Sequence, residues 1–145
     1  MKKILLILLC LPIIGFGQTL IPDANFEQAL INLGYDTGTP NGSVPTANIN
    51  TVTTLDVSNQ NISDLTGIEG FYSLEYLYCY SNQLTSIDIT QNIFLEELAC
   101  NDNNLLSLDV TQNIFLNYFD CKNNNLSSLD VTQNDSLRAL YCSNN

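Results

Sequence analysis

The sequence has 145 residues, enough for a single domain, and its 15 acidic and 4 basic side chains give a formal net charge of −11. Such an acidic surface repels phosphate backbones and anionic lipid headgroups, so we expect no binding to nucleic acid or to membrane surfaces. The chain contains no histidine, which excludes acid–base catalysis by histidine and metal sites that need a histidine ligand.

Residues 1–17 have the pattern of a signal peptide. Lys2 and Lys3 precede an apolar run at positions 4–16, and small residues stand at the two positions that a signal peptidase recognises. The run is too short to span a bilayer comfortably. We therefore expect export with cleavage near Gly17, a secreted or cell-surface protein, and no membrane insertion of the mature chain.

A lipoprotein signal is the alternative at this end of the chain, because Cys10 lies within the apolar run. Bulky Leu9 stands where lipoprotein processing requires a small residue, which favours ordinary secretion. A mature chain that begins at Gln18 keeps two basic residues against fifteen acids, so its net charge is −13. The exported part is thus even more acidic than the whole.

Residues 18–51 predict a helical cap and a loop. Asp23 can cap a helix that closes at Gly34, and the stretch from Asp36 to Pro45 contains Gly, Pro, Asn and Thr, which predicts a connecting loop. The helix would cover the open end of the repeats that follow it. Its apolar face has the i, i+3, i+4, i+7 spacing and consists of Phe26, Ala29, Leu30 and Leu33.

A repeat with a 21-residue period occupies residues 52–145. The units are 52–73, which is one residue longer, then 74–94, 95–115 and 116–136, with a truncated unit at 137–145. Apolar residues alternate at the start of each unit, which is typical of a strand with one buried face. The alternating columns are Leu74, Leu95, Leu116 and Leu137; Leu77, Leu98, Phe119 and Leu140; and Cys79, Cys100, Cys121 and Cys142.

An asparagine follows each strand at the point where the chain must turn, and further apolar residues come after it. These asparagines should pair backbone groups that the turn buries. No unit can bury its own apolar face, so the units must stack and share one core. The asparagine column is Asn82, Asn103, Asn124 and Asn145.

The pattern L-x-x-L-x-C-x-x-N-x-L resembles the leucine-rich-repeat family, and a 21-residue unit with cysteine in its strand is similar to the cysteine-ladder repeats of the internalins, which are bacterial surface proteins. The resemblance covers residues 52–145. It implies a leucine-rich-repeat solenoid, right-handed and mostly β, with a short parallel sheet on the concave face and an N-terminal helical cap. It implies no particular ligand, because this family binds many unrelated partners on one scaffold.

The last unit stops at Asn145, partway through its pattern, and no capping segment follows. The open end of a solenoid exposes its core to water. We therefore expect the sequence to be part of a longer protein, whose remainder contains more repeats, a cap, an anchoring segment or a catalytic domain.

Two polar columns have both a structural and a chemical interpretation. In-register cysteines point the same way, which places their Cβ atoms too far apart for ordinary disulfides, and a straight column does not converge on a zinc ion. We expect buried, reduced thiols and no cofactor. Asp88, Asp109 and Asp130 are expected to accept backbone N–H groups at a tight bend, with calcium binding as the alternative.

Five of the seven tyrosines fall at positions that face outward from the predicted sheet. Tyrosine offers a flat apolar ring and a polar hydroxyl at low conformational cost, which suits recognition. The alternative is that these residues only contact their cross-strand neighbours. The candidate ligand-binding residues are Tyr76, Tyr78, Tyr80, Glu97, Tyr118, Asp120 and Tyr141.

The sequence contains no Ser/His or Cys/His pair and no glycine-rich phosphate loop, so we expect no enzyme. The leading hypothesis is a secreted or surface-displayed module that recognises a protein through the concave face. One alternative is a glycan-binding module that uses the same tyrosines. The other is a non-catalytic repeat region of a larger enzyme or adhesin.

Overall fold

The computed structural model of the protein describes residues 17–145. The predicted signal peptide lies outside these described residues, apart from Gly17. The described chain is a solenoid of about four turns, and its coils build a five-stranded parallel sheet. This confirms the predicted solenoid with its parallel sheet. Within residues 17–145, no helix combines the length and the apolar composition needed to cross a bilayer.

A small antiparallel sheet lies at the amino-terminal end. Strand β1 (Gln18–Leu20) pairs with β2 (Ser43–Pro45), and the short helix α2 (Thr46–Ile49) follows directly. The loop predicted from Asp36 to Pro45 is therefore wrong at its carboxyl-terminal end. Three residues are too few to show an alternating pattern, and the partner strand is distant in sequence, so no local signal marks this pair.

The predicted amino-terminal helix is present as α1 (Ala24–Asn32). One oxygen of the Asp23 carboxylate accepts from the N–H groups of Asn25 at 2.9 Å and Phe26 at 3.0 Å. These bonds satisfy backbone donors that the first turn leaves free. The other oxygen accepts from the N–H and the hydroxyl of Ser63, each at 2.8 Å. Asp23 therefore joins the helix to the first coil.

One face of α1 belongs to the core of the protein. Phe26, Ala29 and Leu30 are buried in the same apolar cluster as the residues of the coils. The prediction that Leu33 shares this face is wrong, because the helix ends at Asn32 and the Leu33 side chain is 46% exposed. That the helix serves as a cap for the solenoid stays a prediction.

The parallel sheet takes one strand from each coil. Strands from β4 onward are offset by 21 residues, whereas Thr54 pairs with Tyr76, an offset of 22 that reflects the longer first coil. A 3-10 turn (Ile68–Gly70) lies in that coil. The strands are β3 (Thr54–Asp56), β4 (Tyr76–Tyr78), β5 (Glu97–Ala99), β6 (Tyr118–Asp120) and β7 (Ala139–Tyr141).

The middle residue of each strand in the parallel sheet belongs to one interior row. The row consists of Leu55, Leu77, Leu98, Phe119 and Leu140. Its first four members are fully buried, whereas Leu140 is 38% exposed because the described chain covers its coil on one side only. Burial of each such side chain stabilises the fold by about 1.5–3 kcal/mol. The coils therefore share one continuous core, as the periodic columns predict.

The asparagine column forms a ladder of buried hydrogen bonds. The Leu84 N–H donates to Asn103 Oδ1 at 3.0 Å. Asn103 Nδ2 donates to the carbonyls of Cys79 at 3.0 Å and Cys100 at 3.1 Å, so one side chain joins two coils. This confirms that the column satisfies backbone groups that would otherwise be buried without partners. The same arrangement recurs at Asn82, Asn124 and Asn145.

The cysteine column fills the core beside the asparagine ladder. Cys79, Cys100 and Cys121 are fully buried and unbridged, whereas Cys142 is exposed. Burial raises the pKa of Cys79 and Cys121 to about 12 and that of Cys100 well above its usual value. Because the thiolate is the reactive form, burial and the raised pKa values disfavour reaction of these three thiols in the folded protein. The prediction of burial is wrong for Cys142, whose coil is the last one described.

Candidate binding surface

The outward residues of the parallel sheet form two rows that run across the strands. The first row contains Tyr76, Glu97 and Tyr118, and the second contains Tyr78, Ala99, Asp120 and Tyr141. Side chains alternate between the faces of a strand, so both rows lie on the face opposite the core. The structure therefore places six predicted residues on one surface, and Tyr80 follows β4 at its edge.

A hydrogen bond fixes the tyrosine in the middle of this surface. The Tyr78 hydroxyl donates to Glu97 Oε2 at 2.9 Å across neighbouring strands. Partial burial and this bond raise the pKa of Tyr78 to about 12, so the hydroxyl stays protonated and remains a donor at neutral pH. The donor of the Tyr78 hydroxyl is thus used within the protein, which leaves the ring face and the acceptor capacity of the oxygen for a ligand.

A second cluster lies on the last two strands. The rings of Tyr118 and Tyr141 are tilted by 48°, with centroids 5.6 Å apart, a spacing at which aromatic pairs attract. Lys122 Nζ lies 5.4 Å from the centre of the Tyr141 ring and 3.2 Å from Asp120 Oδ2. Lys122 therefore interacts with both the Tyr141 ring and the Asp120 carboxylate.

The structure changes the roles of two residues in this cluster. Asp120, a predicted ligand contact, is only 6% exposed and its carboxylate is engaged by Lys122. It therefore positions Lys122 and presents little surface to a ligand. Lys122 itself was not among the candidates, although its place two residues after Asp120 in an outward-facing column was a signal that could have found it.

An open depression of about 380 Å³ lies between the two clusters. Its wall combines aromatic rings with carboxylate and amide groups, and five of the seven predicted residues contribute to it. Such a mixture of apolar faces and a few polar groups is typical of recognition sites. The lining residues are Tyr78, Tyr80, Glu97, Ala99, Asn101, Tyr118 and Asp120.

The surface is strongly acidic at the start of the strands. The carboxylates of Glu96, Glu75 and Glu97 lie around the half-buried ring of Tyr76, and their negative charge, that of Glu96 foremost, raises the pKa of its hydroxyl. A ligand that contacts Tyr76 therefore meets several negative charges, which favours positively charged groups.

The aspartate column lies on another side of the coils and has the hydrogen bonds that the sequence predicts. Asp88 Oδ1 accepts from the Thr90 hydroxyl at 2.7 Å and from the Thr90 N–H at 3.0 Å, and these bonds lower the pKa of Asp88. Asp109 and Asp130 repeat the pattern. Across residues 17–145, no group of three or more His, Cys, Asp or Glu side chains is placed to hold a metal ion.

The coil geometry has counterparts among known proteins. A family model that describes two copies of leucine-rich repeats matches residues 50–93. The coils have the fold of leucine-rich repeats. Internalin J of Listeria monocytogenes serotype 4b (strain F2365) is 45% identical to this chain over 42 residues, which make up 29% of this chain and 5% of internalin J.

Solved structures extend the similarity over most of the repeats. The functional domain of InlJ from Listeria monocytogenes, which includes a cysteine ladder, has a TM-score of 0.80 and 36% identity over 88% of this chain. An internalin (InlF) from strain 4b F2365 shares the fold, with a TM-score of 0.72 and 23% identity over 84% of this chain and 36% of its own. This chain spans only 29% of the InlJ chain.

Proposed function

We propose that the protein is an exported, non-catalytic leucine-rich-repeat module that binds a protein partner on the outward face of its parallel sheet, the concave face of this fold. The tyrosine cluster carries the proposal. Tyr78, Tyr118 and Tyr141 are held by contacts within the protein, namely the bond to Glu97 and the ring pair. A surface whose aromatic side chains are already fixed loses little entropy when a partner binds.

Charge defines the kind of partner. Glu97 and the glutamates around Tyr76 make this face acidic, and Lys122, a cation beside the second row, is already paired with Asp120. A partner that presents Lys or Arg over the tyrosine rings gains both charge attraction and cation–π contacts. We therefore propose a basic patch on an extracellular protein.

Export rests on the pattern of residues 1–17, and similarity to internalin J supports it. Glycan binding is a second candidate because the depression of about 380 Å³ is lined by tyrosine rings together with groups that hydrogen-bond, a combination that suits a sugar ring. These repeats also fit a non-catalytic part of a larger enzyme or adhesin.

The test compares two triple variants on arrays of extracellular proteins and of glycans. One variant carries Tyr76→Ala, Tyr78→Ala and Tyr118→Ala. The matched control carries Thr85→Ala, Leu106→Ala and Ser127→Ala, which alter one exposed side chain in each of three coils away from the sheet. Circular dichroism establishes that both variants are folded.

We expect protein targets of the wild type to bind the tyrosine variant at least about tenfold more weakly, since buried aromatic contacts dominate binding energy, and to bind the control unchanged. Equal binding by both variants contradicts a role for this face. Selective loss of glycan targets, with no protein targets, replaces the leading proposal with the glycan-binding candidate.

A further inference from the structure

Each coil closes with a tight turn directly before its strand. In the second coil the Leu95 N–H donates to the carbonyl of Asn92 at 3.1 Å, three residues earlier, which places Ile93 and Phe94 at the two central positions of the turn. The same bond closes the turns at 71–74, 113–116 and 134–137, at 3.0–3.1 Å. The central pairs of those turns are Tyr72 and Ser73, Ile114 and Phe115, and Asp135 and Ser136.

A second asparagine ladder stacks these turns side by side. Asn92 Nδ2 donates to the carbonyl of Phe71 at 3.1 Å, and Asn113 Nδ2 donates to the carbonyl of Asn92 at 2.9 Å. Asn134 continues the ladder with a bond to Asn113 at 2.9 Å. Because these residues immediately precede the turn centres, the exposed tips lie in one row along the border of the sheet.

Three of the four turn tips carry large apolar side chains that face water. They are Tyr72, Ile93, Phe94, Ile114 and Phe115, which we call the turn edge, and their exposures are 57%, 46%, 50%, 50% and 49%. Half-exposed side chains of this size give a patch on the order of 500 Å², at the upper end for the largest patch of a soluble monomer.

The fold does not require apolar residues at these tips. Turn centres normally carry Gly, Asn, Asp or Ser, and the turn at 134–137 closes at 3.0 Å with Asp135 and Ser136 in the equivalent positions. The same backbone therefore forms with polar side chains. Exposure of the apolar pairs Ile93–Phe94 and Ile114–Phe115 to water is unfavourable, and the turn forms without them. This indicates that they have a role in binding.

Negative charge borders the turn edge. Glu75 and Glu96 come directly after the leucines that close the turns, and both lie close enough to Tyr76 to raise the pKa of its hydroxyl. Beside Phe115 a cavity of about 490 Å³ is lined by Glu96 and Asp135 as well as by Arg138. A ligand of this edge thus meets apolar side chains with carboxylates alongside.

We propose that the turn edge is a second docking surface, separate from the outward face of the sheet, and that its occupant is a segment of another protein that combines large apolar side chains with Lys or Arg. The apolar groups cover Ile93, Phe94 and Phe115, and the cations pair with Glu75 and Glu96. A second copy of this chain does not fit, because its own edge has the same negative border and each copy carries fifteen acids.

The test uses a four-site edge variant that borrows the polar turn of the same protein: Ile93→Asp, Phe94→Ser, Ile114→Asp and Phe115→Ser. The turn at 134–137 tolerates this Asp-Ser pair, so the variant is expected to fold. Its added carboxylates strengthen attraction for a cation, so any loss of binding comes from the lost apolar groups. Leu106→Ser is the matched control, because it removes an isolated apolar side chain that is 62% exposed.

A phage-displayed library of random peptides is first depleted on the edge variant and then selected on the wild type. We expect the retained peptides to combine Phe, Leu, Ile or Trp with Lys or Arg. By fluorescence anisotropy, synthetic copies should bind the edge variant at least about tenfold more weakly than the wild type. Binding to Leu106→Ser and to a tyrosine variant that keeps Tyr76 and carries only Tyr78→Ala and Tyr118→Ala should be unchanged, because Tyr76 lies beside Glu75 and Glu96. Higher salt should weaken the binding.

Several results would overturn the proposal. They are a selection that retains no peptide, retained peptides without basic residues, and equal binding to the edge variant. Sedimentation that shows self-association of the wild type, abolished in the edge variant, would assign the edge to a second copy instead. Peptides whose binding is lost in the Tyr78→Ala, Tyr118→Ala variant would belong to the sheet face, so the two proposals succeed or fail separately.

Discussion

The asparagine ladder makes a quantitative prediction at Asn103, which lies in the middle of the solenoid and is 8% exposed. In Asn103→Ala, the Leu84 N–H loses its acceptor, and the carbonyls of Cys79 and Cys100 each lose one donor. The two carbonyls keep a second bond, since Cys79 also accepts from Asn82 and Cys100 from Asn124. Only one buried group is therefore left without a partner.

The expected loss of stability follows from these three bonds. An orphaned buried N–H costs about 1–3 kcal/mol, and each of the two lost bonds contributes about 0.5–1.5 kcal/mol. The sum is about 4 kcal/mol, which is a large fraction of the stability of a small protein. With a urea dependence of about 2 kcal/mol per molar, the unfolding midpoint should fall by about 2 M.

Urea unfolding followed by circular dichroism and by tyrosine fluorescence measures this shift. Asn104→Ala is the matched control, because Asn104 is the exposed neighbour of Asn103 and its substitution should change the midpoint by less than about 0.3 M. A shift for Asn103→Ala no larger than that of the control would refute the reasoning that the ladder satisfies buried backbone groups.

Three further predictions concern the amino-terminal contact, the thiols and acid stability. Gly67→Ala should destabilise the protein by about 2–3 kcal/mol more than Gly38→Ala in thermal unfolding. Both glycines have positive φ, but a Cβ at Gly67 would lie 2.5 Å from Leu20 O, whereas a Cβ at Gly38 would contact nothing. An equal loss of stability in the two variants would contradict a close approach of β1 to the first coil. Iodoacetamide should alkylate Cys142 in the folded protein and should not react with the buried Cys79, Cys100 and Cys121 until urea is added, as followed by peptide mass spectrometry. Alkylation of the three buried cysteines without urea, at a rate similar to that of Cys142, would refute their burial. Hydrogen bonds from Ser63, Phe26 and Asn25 outweigh the effect of partial burial and lower the pKa of Asp23, so its stabilising effect is present above the usual carboxyl pKa and is lost as the pH falls through the folded value. The free energy of unfolding of Asp23→Asn should therefore decrease less than that of the wild type as the pH is lowered below about pH 4. The same dependence of the free energy of unfolding on pH in both proteins would contradict this role.

The regular part of the fold was predictable because each repeated column has one physical task. Leu77, Leu98 and Phe119 recur at fixed spacing, and only stacking can bury them together. The irregular part was not predictable in the same way. The pairing of β1 with β2 joins segments on either side of a helix, and Leu33 fits the helical period but lies beyond the last turn.

The candidate surfaces also combine features that the sequence predicts with features that only the structure shows. Strand alternation places the predicted tyrosines on one face, but it cannot show that Asp120 is buried beneath a contact with Lys122. The turn edge was missed because its residues lie outside the buried columns. The available signal was a difference between units, Ile-Phe in two of them and Asp-Ser in the third, and its meaning depends on exposure that only the structure reveals.

Both proposed surfaces exist only if the coils stack in register, and amide hydrogen exchange tests this most directly. The account predicts that the N–H groups of Leu84 and Leu105, which donate to Asn103 and Asn124 at 3.0 Å, exchange as slowly as those of the strands and far more slowly than those of exposed Ser86 and Ser107. Rapid exchange at Leu84 and Leu105, at the rate of the exposed serines, would contradict the stacked solenoid.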